Sequence, residues 1–257
     1  MGAIDKTLLD TIVALADRAG AVILEHYEKG AAARTKADKS PVTDADEAAE
    51  AVILPELQSL LPGVPVIAEE AVARGGTPQI PEGRFWLVDP LDGTREYLKR
   101  NGEFTVNIAL VERETPLLGV VHAPALGLTF AACGPGTAIR RTDGNDFRPI
   151  FARKTPSEGA VVVASRSHAE PARLETFLSG TKVAGLKQAG SALKFGLIAS
   201  GEADLYPRLG RTMEWDTAAG HAVVLAAGGS VETLDGKPLR YGKKGFENPD
   251  FVARGRR

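Results

Sequence analysis

The sequence predicts an α/β protein in two parts, an α+β portion over residues 1–155 and an α/β portion over residues 156–257. Three observations lead there. Two amphipathic helical patterns open the chain, the rhythm then changes to short apolar runs bounded by Gly and Pro, and beyond Ile150 strand and helix patterns alternate.

Each element follows from its own spacing. Ile4, Leu8, Ile12, Leu15, Ala19, Val22 and Ile23 recur every three or four residues and predict a helix to about Tyr27. A second helix follows Thr43, with Ala48, Ala49, Val52, Ile53, Leu57, Leu60 and Leu61 on one side, and stops at Pro62-Gly63. Residues 64–68 and 85–88 read as buried strands. Val106, Ile108 and Leu110 alternate with Asn107 and Ala109, and residues 117–121 follow a polar turn, which predicts an antiparallel hairpin. Residues 153–159, with Pro156, form the predicted joint. Beyond it the pattern gives a strand at 160–164, helices at 171–178 and 191–200, a strand at 203–206, a helix at 217–227 and a strand at 230–233.

Composition narrows the function classes. The 257 residues include 31 Lys and Arg against 33 Asp and Glu, for a formal net charge of −2, so no broad basic field serves nucleic acid. At 44% hydrophobic and 25% charged, the chain has the composition of a folded globular protein. Its length gives a core that needs no covalent staples. The single Cys133 forms no internal disulfide, which suits a reducing cytoplasm. The most apolar window, residues 218–227, is interrupted by His221 and falls far short of the roughly 20 residues of a membrane span. Asp5, Asp10 and Asp17 in the first helical pattern do not fit a signal peptide. The expected location is the cytoplasm; peripheral attachment to the cytoplasmic face of an inner membrane leaves no sequence trace and stays open.

Acidic residues at the ends of apolar runs carry the chemical signal. Trp86-Leu87-Val88 runs into Asp89-Pro90-Leu91-Asp92-Gly93-Thr94. Pro90 fixes its own φ and pushes Asp89 towards an extended conformation, while Gly93 permits a tight turn ahead of a short helix from Thr94 to Lys99. The two carboxylates, the Leu91 carbonyl and the amides of Gly93 and Thr94 can therefore converge, an oxygen-rich set suited to Mg²⁺ beside a helix start suited to phosphate. A second apolar run, 65–68, ends in Glu69-Glu70. Asp216 stands between Trp215 and the apolar residues 217–227, and Thr43 with Asp46 has capping-box spacing. Each also has a bland reading: an Asp-Gly turn, a solvated glutamate pair, an N-cap at Asp216, an ordinary capping box.

Together these segments resemble the inositol-monophosphatase superfamily of Mg²⁺-dependent, lithium-sensitive phosphatases. Residues 86–94 match its first signature and Trp215-Asp216-Thr217-Ala218-Ala219-Gly220 its second, with Glu69-Glu70 and Pro41-Val42-Thr43 to Asp46 in the expected order. Residues 99–107, 165–168, 190–195, 205–208 and 236–239 are similar to the CysQ-type branch, the 3′(2′),5′-bisphosphate nucleotidases. The resemblance implies a layered α-β-α-β-α sandwich. It implies one Mg²⁺ held by Glu69, Asp89 and the Leu91 carbonyl, a second held by Asp89, Asp92 and Asp216, and a third ion near Glu69 or Glu70. Catalytic work falls to Asp46, Thr94 and Glu69, with the Gly93 and Thr94 amides gripping the scissile phosphate.

The same resemblance places substrate contacts at Leu91, Asp92, Gly93, Thr94, Ser165, His168, Gly190, Ser191, Lys194, Arg208 and Asp216. The expected partner is a nucleoside bisphosphate, cleaved at the 3′-phosphate of 3′-phosphoadenosine 5′-phosphate, with the 5′-phosphosulfate analogue as a further candidate. Carboxylates alone repel a phosphate dianion, so the physics also calls for divalent cations. Two other readings stand beside this one: an inositol monophosphatase or broad sugar phosphatase, and a non-catalytic sensor of metal and nucleotide. The sensor would keep the aspartates but have no use for the Asp46–Thr94 pair.

Overall fold

The structure, a computed structural model, describes residues 4–30, 33–35, 41–76, 83–166 and 171–257. Helix α1 (Lys6–Lys29) starts at Asp5, whose carboxylate accepts the Leu8 N–H. Strands β1 (Ala33–Thr35) and β2 (Pro41–Thr43) form a small antiparallel pair leading to α2 (Asp44–Leu60). Thr43 caps α2, and Asp46 reaches back to the Thr43 N–H to complete a capping box. Then come β3 (Val66–Ala68), α3 (Glu69–Ala73), β4 (Arg84–Asp92), α4 (Thr94–Leu98), β5 (Thr105–Glu112), β6 (Thr115–Ala123), β7 (Leu128–Cys133), β8 (Ile139–Thr142) and β9 (Arg148–Pro149). These seven strands make one sheet in chain order, antiparallel except for the parallel β3–β4 pair.

After residue 159 the chain builds β10 (Ala160–Ser165), α5 (Pro171–Leu178), β11 (Val183–Ala189), α6 (Leu193–Ala199), β12 (Leu205–Arg208), α7 (Glu214–Ala226), β13 (Ser230–Thr233) and β14 (Phe251–Arg254). Their strands form a five-stranded sheet ordered β11-β10-β12-β14-β13. The layers follow from the packing. Helices α1 and α2 cover one face of the large sheet, α7 and α6 fill the space between the two sheets, and Phe177 and Leu178 of α5 pack on the outer face of the small one. The α-β-α-β-α arrangement expected from the resemblance is the one observed. Among the described residues, no helix is long and apolar enough to cross a membrane.

The sandwich explains why the apolar run ahead of Asp89 is unbroken. Trp86 and Val88 enter the core beneath α1 and α2, whereas Phe85 and Leu87 enter the core beneath α7. A strand covered on both faces has no solvent side to keep polar. The same constraint holds along the predicted hairpin: Asn107 is fully buried, and β5 is buried along all but its last residue. Strand β4 also continues past Val88 to Asp92, where the sequence pattern stops it. Its register against β5 shifts between Asp89, opposite Asn107, and Asp92, opposite Thr105, leaving one extra residue on the β4 side. Pro90 has no N–H to give the ladder, so the irregularity falls at the Asp-Pro-Leu-Asp segment.

Several boundaries move for local reasons. Helix α6 begins at Leu193 rather than Ser191, because Ser191 adopts a left-handed φ of 52°. Helix α7 begins at Glu214, so Asp216 is the third residue of the helix and not its N-cap. The strand expected at 203–206 runs instead over Leu205–Arg208. Strands β7, β8, β9, β11 and β14 carry no periodic signal strong enough to predict them; β11 is an edge strand with mostly exposed residues.

Helix α7 lies hard against β6 at Gly119, where an added Cβ would meet the Ala219 carbonyl oxygen at 2.3 Å and the Ala222 Cβ at 2.8 Å. Replacing Gly119 by Ala forces helix and sheet apart, and overpacking of this kind costs about 1–3 kcal/mol. The expected result is a lower urea midpoint for Gly119→Ala, and an unchanged midpoint contradicts the close contact.

Candidate active site

The irregular end of β4 sets the geometry. Asp89 is 2% exposed, and its Oδ1 accepts the Leu91 N–H at 3.0 Å, folding the backbone back beneath the carboxylate. Gly93 follows in a left-handed conformation, φ 91°, as the N-cap of α4. Its α-carbon faces the Glu103 carbonyl oxygen and the Ser191 side chain, each 3.3 Å from where a Cβ would sit, so the position has neither the torsion nor the room for a side chain. Thr94 then opens α4.

Three elements bring carboxylates to this point. Oxygen atoms of Glu69 from the start of α3, Asp89 from β4 and Asp216 from the first turn of α7 all lie within 4.8 Å of one another. Hard oxygen donors at this separation fit a divalent cation of the Mg²⁺ type. Asp92 stands beside the group. Its Oδ2 accepts from the Ser191 hydroxyl at 2.6 Å and from the Asn107 amide at 3.3 Å. Burial raises the Asp92 carboxyl above its ordinary pKa, and Glu69 adds to the rise. Asp216 is raised well above the carboxylate range, first by burial and then by the charges of Asp92 and Glu69. Glu70 is buried and lines the same cavity, outside the three-carboxylate group.

Asp216 is held in place by the helix that carries it. Its Oδ2 accepts the Met213 N–H at 2.8 Å, which fixes the first turn of α7. Glu214, fully buried, accepts the N–H groups of Gly242 and Lys243 at 2.7 and 2.9 Å and pairs with the Lys243 ammonium at 2.6 Å. The Asn248 amide donates to the Met213 carbonyl at 2.8 Å and the Thr217 hydroxyl at 3.0 Å. The tail of the chain is thus wrapped around the start of α7. Met213-Glu214 carries no recognisable motif, and nothing in its sequence marks this role.

Asp46 sits behind Thr94. It is 2% exposed, its Oδ2 accepts the Thr43 N–H at 2.8 Å and the Thr43 hydroxyl at 2.7 Å, and its Oδ1 faces the Thr94 hydroxyl at 3.5 Å. The capping box and the Thr94 contact therefore coexist on one carboxylate.

A cavity of about 570 Å³ opens over these groups. Glu69, Glu70, Asp89, Leu91, Asp92, Gly93, Thr94, Ser165, Ser191, Lys194, Arg208 and Asp216 all line it. One of the residues expected at the substrate does not stand on this wall. Gly190 is buried behind it, where its N–H donates to Glu103 at 2.8 Å and a Cβ would meet the Glu103 carbonyl at 2.7 Å; His168 lies outside the described residues. Lys194 is 3% exposed, not on a solvated helix face. Its ammonium donates to the carbonyls of Ala189 and Ser191 at 3.2 and 2.5 Å and lies over the Tyr206 ring. Burial pushes Lys194 down to about 8. Arg208, 9% exposed, donates to the Arg211 carbonyl at 2.9 Å, and its buried Nε–H has no partner among the described residues.

Sequence reasoning missed the supports: Asn107 and Thr105 around Asp92, Glu103 behind Gly190, and the Tyr241 to Asn248 tail. Asn107 alone carried a readable signal, as a polar residue inside an apolar strand run.

Residues 5–253 match the Inositol monophosphatase family. Over 254 residues the chain is 45% identical to the 3′(2′),5′-bisphosphate nucleotidase CysQ of Escherichia coli (strain K12), covering 95% of this chain and 98% of that protein. It is 40% identical over 258 residues to the same-named protein of Buchnera aphidicola subsp. Acyrthosiphon pisum, covering 96% and 94%. Among solved structures, CysQ from Bacteroides thetaiotaomicron superposes with a TM-score of 0.80 at 36% identity, over 98% of both chains. An IMPase of Thermotoga maritima gives a TM-score of 0.78 at 27% identity, over 96% and 92%. With this match over almost its whole length, and with its carboxylates gathered as described, the chain belongs to the inositol monophosphatase family.

Proposed function

We propose that this protein is a Mg²⁺-dependent phosphomonoesterase that removes the 3′-phosphate of 3′-phosphoadenosine 5′-phosphate, yielding AMP and inorganic phosphate. The observation that carries the reading is one cavity holding both a three-carboxylate cluster and two buried cations, Lys194 and Arg208. A monophosphate needs only the first; a bisphosphate needs both. The CysQ nucleotidases, at 40–45% identity, point the same way.

Glu69, Asp89, Asp92 and Asp216, with the Leu91 carbonyl, would hold the Mg²⁺, and Glu70 lines the same cavity beside them. Bound Mg²⁺ supplies the positive charge that offsets phosphate and carboxylate repulsion and lowers the pKa of coordinated water. Asp46, fixed by Thr43, accepts the proton of the Thr94 hydroxyl, and Thr94 in turn orients the attacking water. The water oxygen bonds to phosphorus as the bond to O3′ breaks; the water's proton passes to the Thr94 oxygen, and the departing O3′ takes up a proton from solvent water. The first amides of α4, Gly93 and Thr94, face the phosphate with no partner inside their own helix. Residues 1–155 thus carry most of the proposed metal ligands, while residues 156–257 bring Asp216 and the groups for the second phosphate. We place the protein in the cytoplasm, clearing a by-product of sulfate assimilation; the 5′-phosphosulfate analogue shares the 3′-phosphate and is a second candidate substrate.

Phosphate release from 3′-phosphoadenosine 5′-phosphate is expected to exceed that from inositol 1-phosphate and fructose 1,6-bisphosphate, and to vanish on chelation of divalent metal. Faster turnover of inositol 1-phosphate overturns the nucleotide assignment. For Thr94→Ala, kcat is expected to fall by about 10²–10⁴ with little change in KM; unchanged turnover rejects the proton path through Asp46. The Lys194 charge gives a pH dependence of defined sign. Lys194 is protonated below about 8 and neutral above, so KM for the bisphosphate should rise as pH increases through that value. The Lys194→Met protein should start with a high KM and lack this rise.

A further inference from the structure

The carboxylate cluster draws on two well-supported elements, β4 and α7, and on one that has little support of its own. Glu69 and Glu70 open α3, a helix of five residues whose N-cap, Ala68, has no side-chain acceptor of its own to offer the first amides. A helix of one turn is not self-sustaining, and its leading N–H groups need partners from elsewhere.

Glu50 is that partner. It lies on α2 one turn after Asp46, on the same face of the helix, and is 2% exposed. Its Oε2 accepts the Ala71 N–H at 3.1 Å, the third amide of α3 and the one an N-cap side chain would serve. Its Oε1 takes the guanidinium of Arg74. Arg74 is the residue that closes the other end of α3, where its N–H bonds to the Glu70 carbonyl at 3.1 Å. One carboxylate therefore grips both ends of the helix. Because α2 also carries Asp46, it fixes the proton acceptor and the glutamate of the cluster in a single frame.

We infer that Glu50 is a positioning residue for the metal centre: by clamping α3 it holds the Glu69 carboxylate in register with Asp89 and Asp216, and so sets the affinity for Mg²⁺. The inference rests on the metal centre proposed above. Groups that orient metal ligands without touching the ion typically govern about 10–100-fold in affinity.

The test is direct Mg²⁺ binding by titration calorimetry, set beside the Mg²⁺ concentration for half-maximal activity. Glu50→Ala is expected to raise the Mg²⁺ Kd by about 10–100-fold and to shift the activation midpoint equally, with a smaller change in nucleotide KM and in kcat at saturating Mg²⁺. Glu50→Gln keeps an oxygen for the Ala71 N–H but loses the charge facing Arg74, so its Kd should fall between parent and Ala variant. A folded Glu50→Ala protein with the parent's Kd overturns the inference, as does a lowered melting temperature of the metal-free protein with no change in Kd. Should Glu50→Ala not fold, Glu50→Gln decides alone: a raised Kd supports the inference and a parental Kd overturns it. A parent protein that binds no Mg²⁺ overturns the metal-centre reading itself, which separates the two failures.

Discussion

Crowding of like charge is the constraint around which this molecule is organised. Carboxylates about 4 Å apart repel by about 4 kcal/mol at an intermediate dielectric, and burial adds the loss of water to each. Asp216 records both, with its carboxyl raised by burial first and by Asp92 and Glu69 next. No single element could hold such a group together. Its supports come from all over the chain: a capping interaction at Met213, the Ser191 and Asn107 contacts on Asp92, the Leu91 turn under Asp89, and a tail that pins Glu214.

The layered fold is what lets distant segments meet. The large sheet ends at the cluster because β4 runs through its bulge there, and the parallel β3 beside it delivers α3 to the same edge. Helix α7 fills the space between the two sheets and points its first turn at the same place. Buried cations complete the balance. Lys194 lies under the Ala189–Ser191 turn, where it holds two carbonyl oxygens and lends Asp92 an opposite charge. The hydroxyl of that same Ser191 bonds to Asp92, so the wall that carries Lys194 is in contact with the wall that carries the carboxylates.

The architecture was legible wherever periodicity was strong. Helices α1 and α2, the β5–β6 hairpin, and α5 and β13 at their observed limits all follow from spacing. The carboxylates of the cluster were legible because acidic side chains stand out beside apolar runs, as Asp89 does after Trp86-Leu87-Val88. What spacing hides is the number of faces a strand buries, so the alternation around Asn107 does not show that its own face is covered too. Also hidden are the ties made by ordinary-looking residues. Nothing in the local sequence distinguishes Glu50 from an exposed helix glutamate, or Glu214 from a first-turn acid that favours the helix dipole. Their roles arise from elements tens or hundreds of positions away, and only the folded chain brings those together.

The placement of Asp216 has a consequence for the lifetime of the protein. It is presented by α7, the helix on which both sheets lean. Any loosening of α7 from the large sheet pulls one donor away from the other two. Holding a cation and holding α7 on the sheet would then be the same event, and binding free energy would add to cohesion by mass action. The ionic composition of the surroundings would set not only how fast such a catalyst turns over but how long it survives proteolysis.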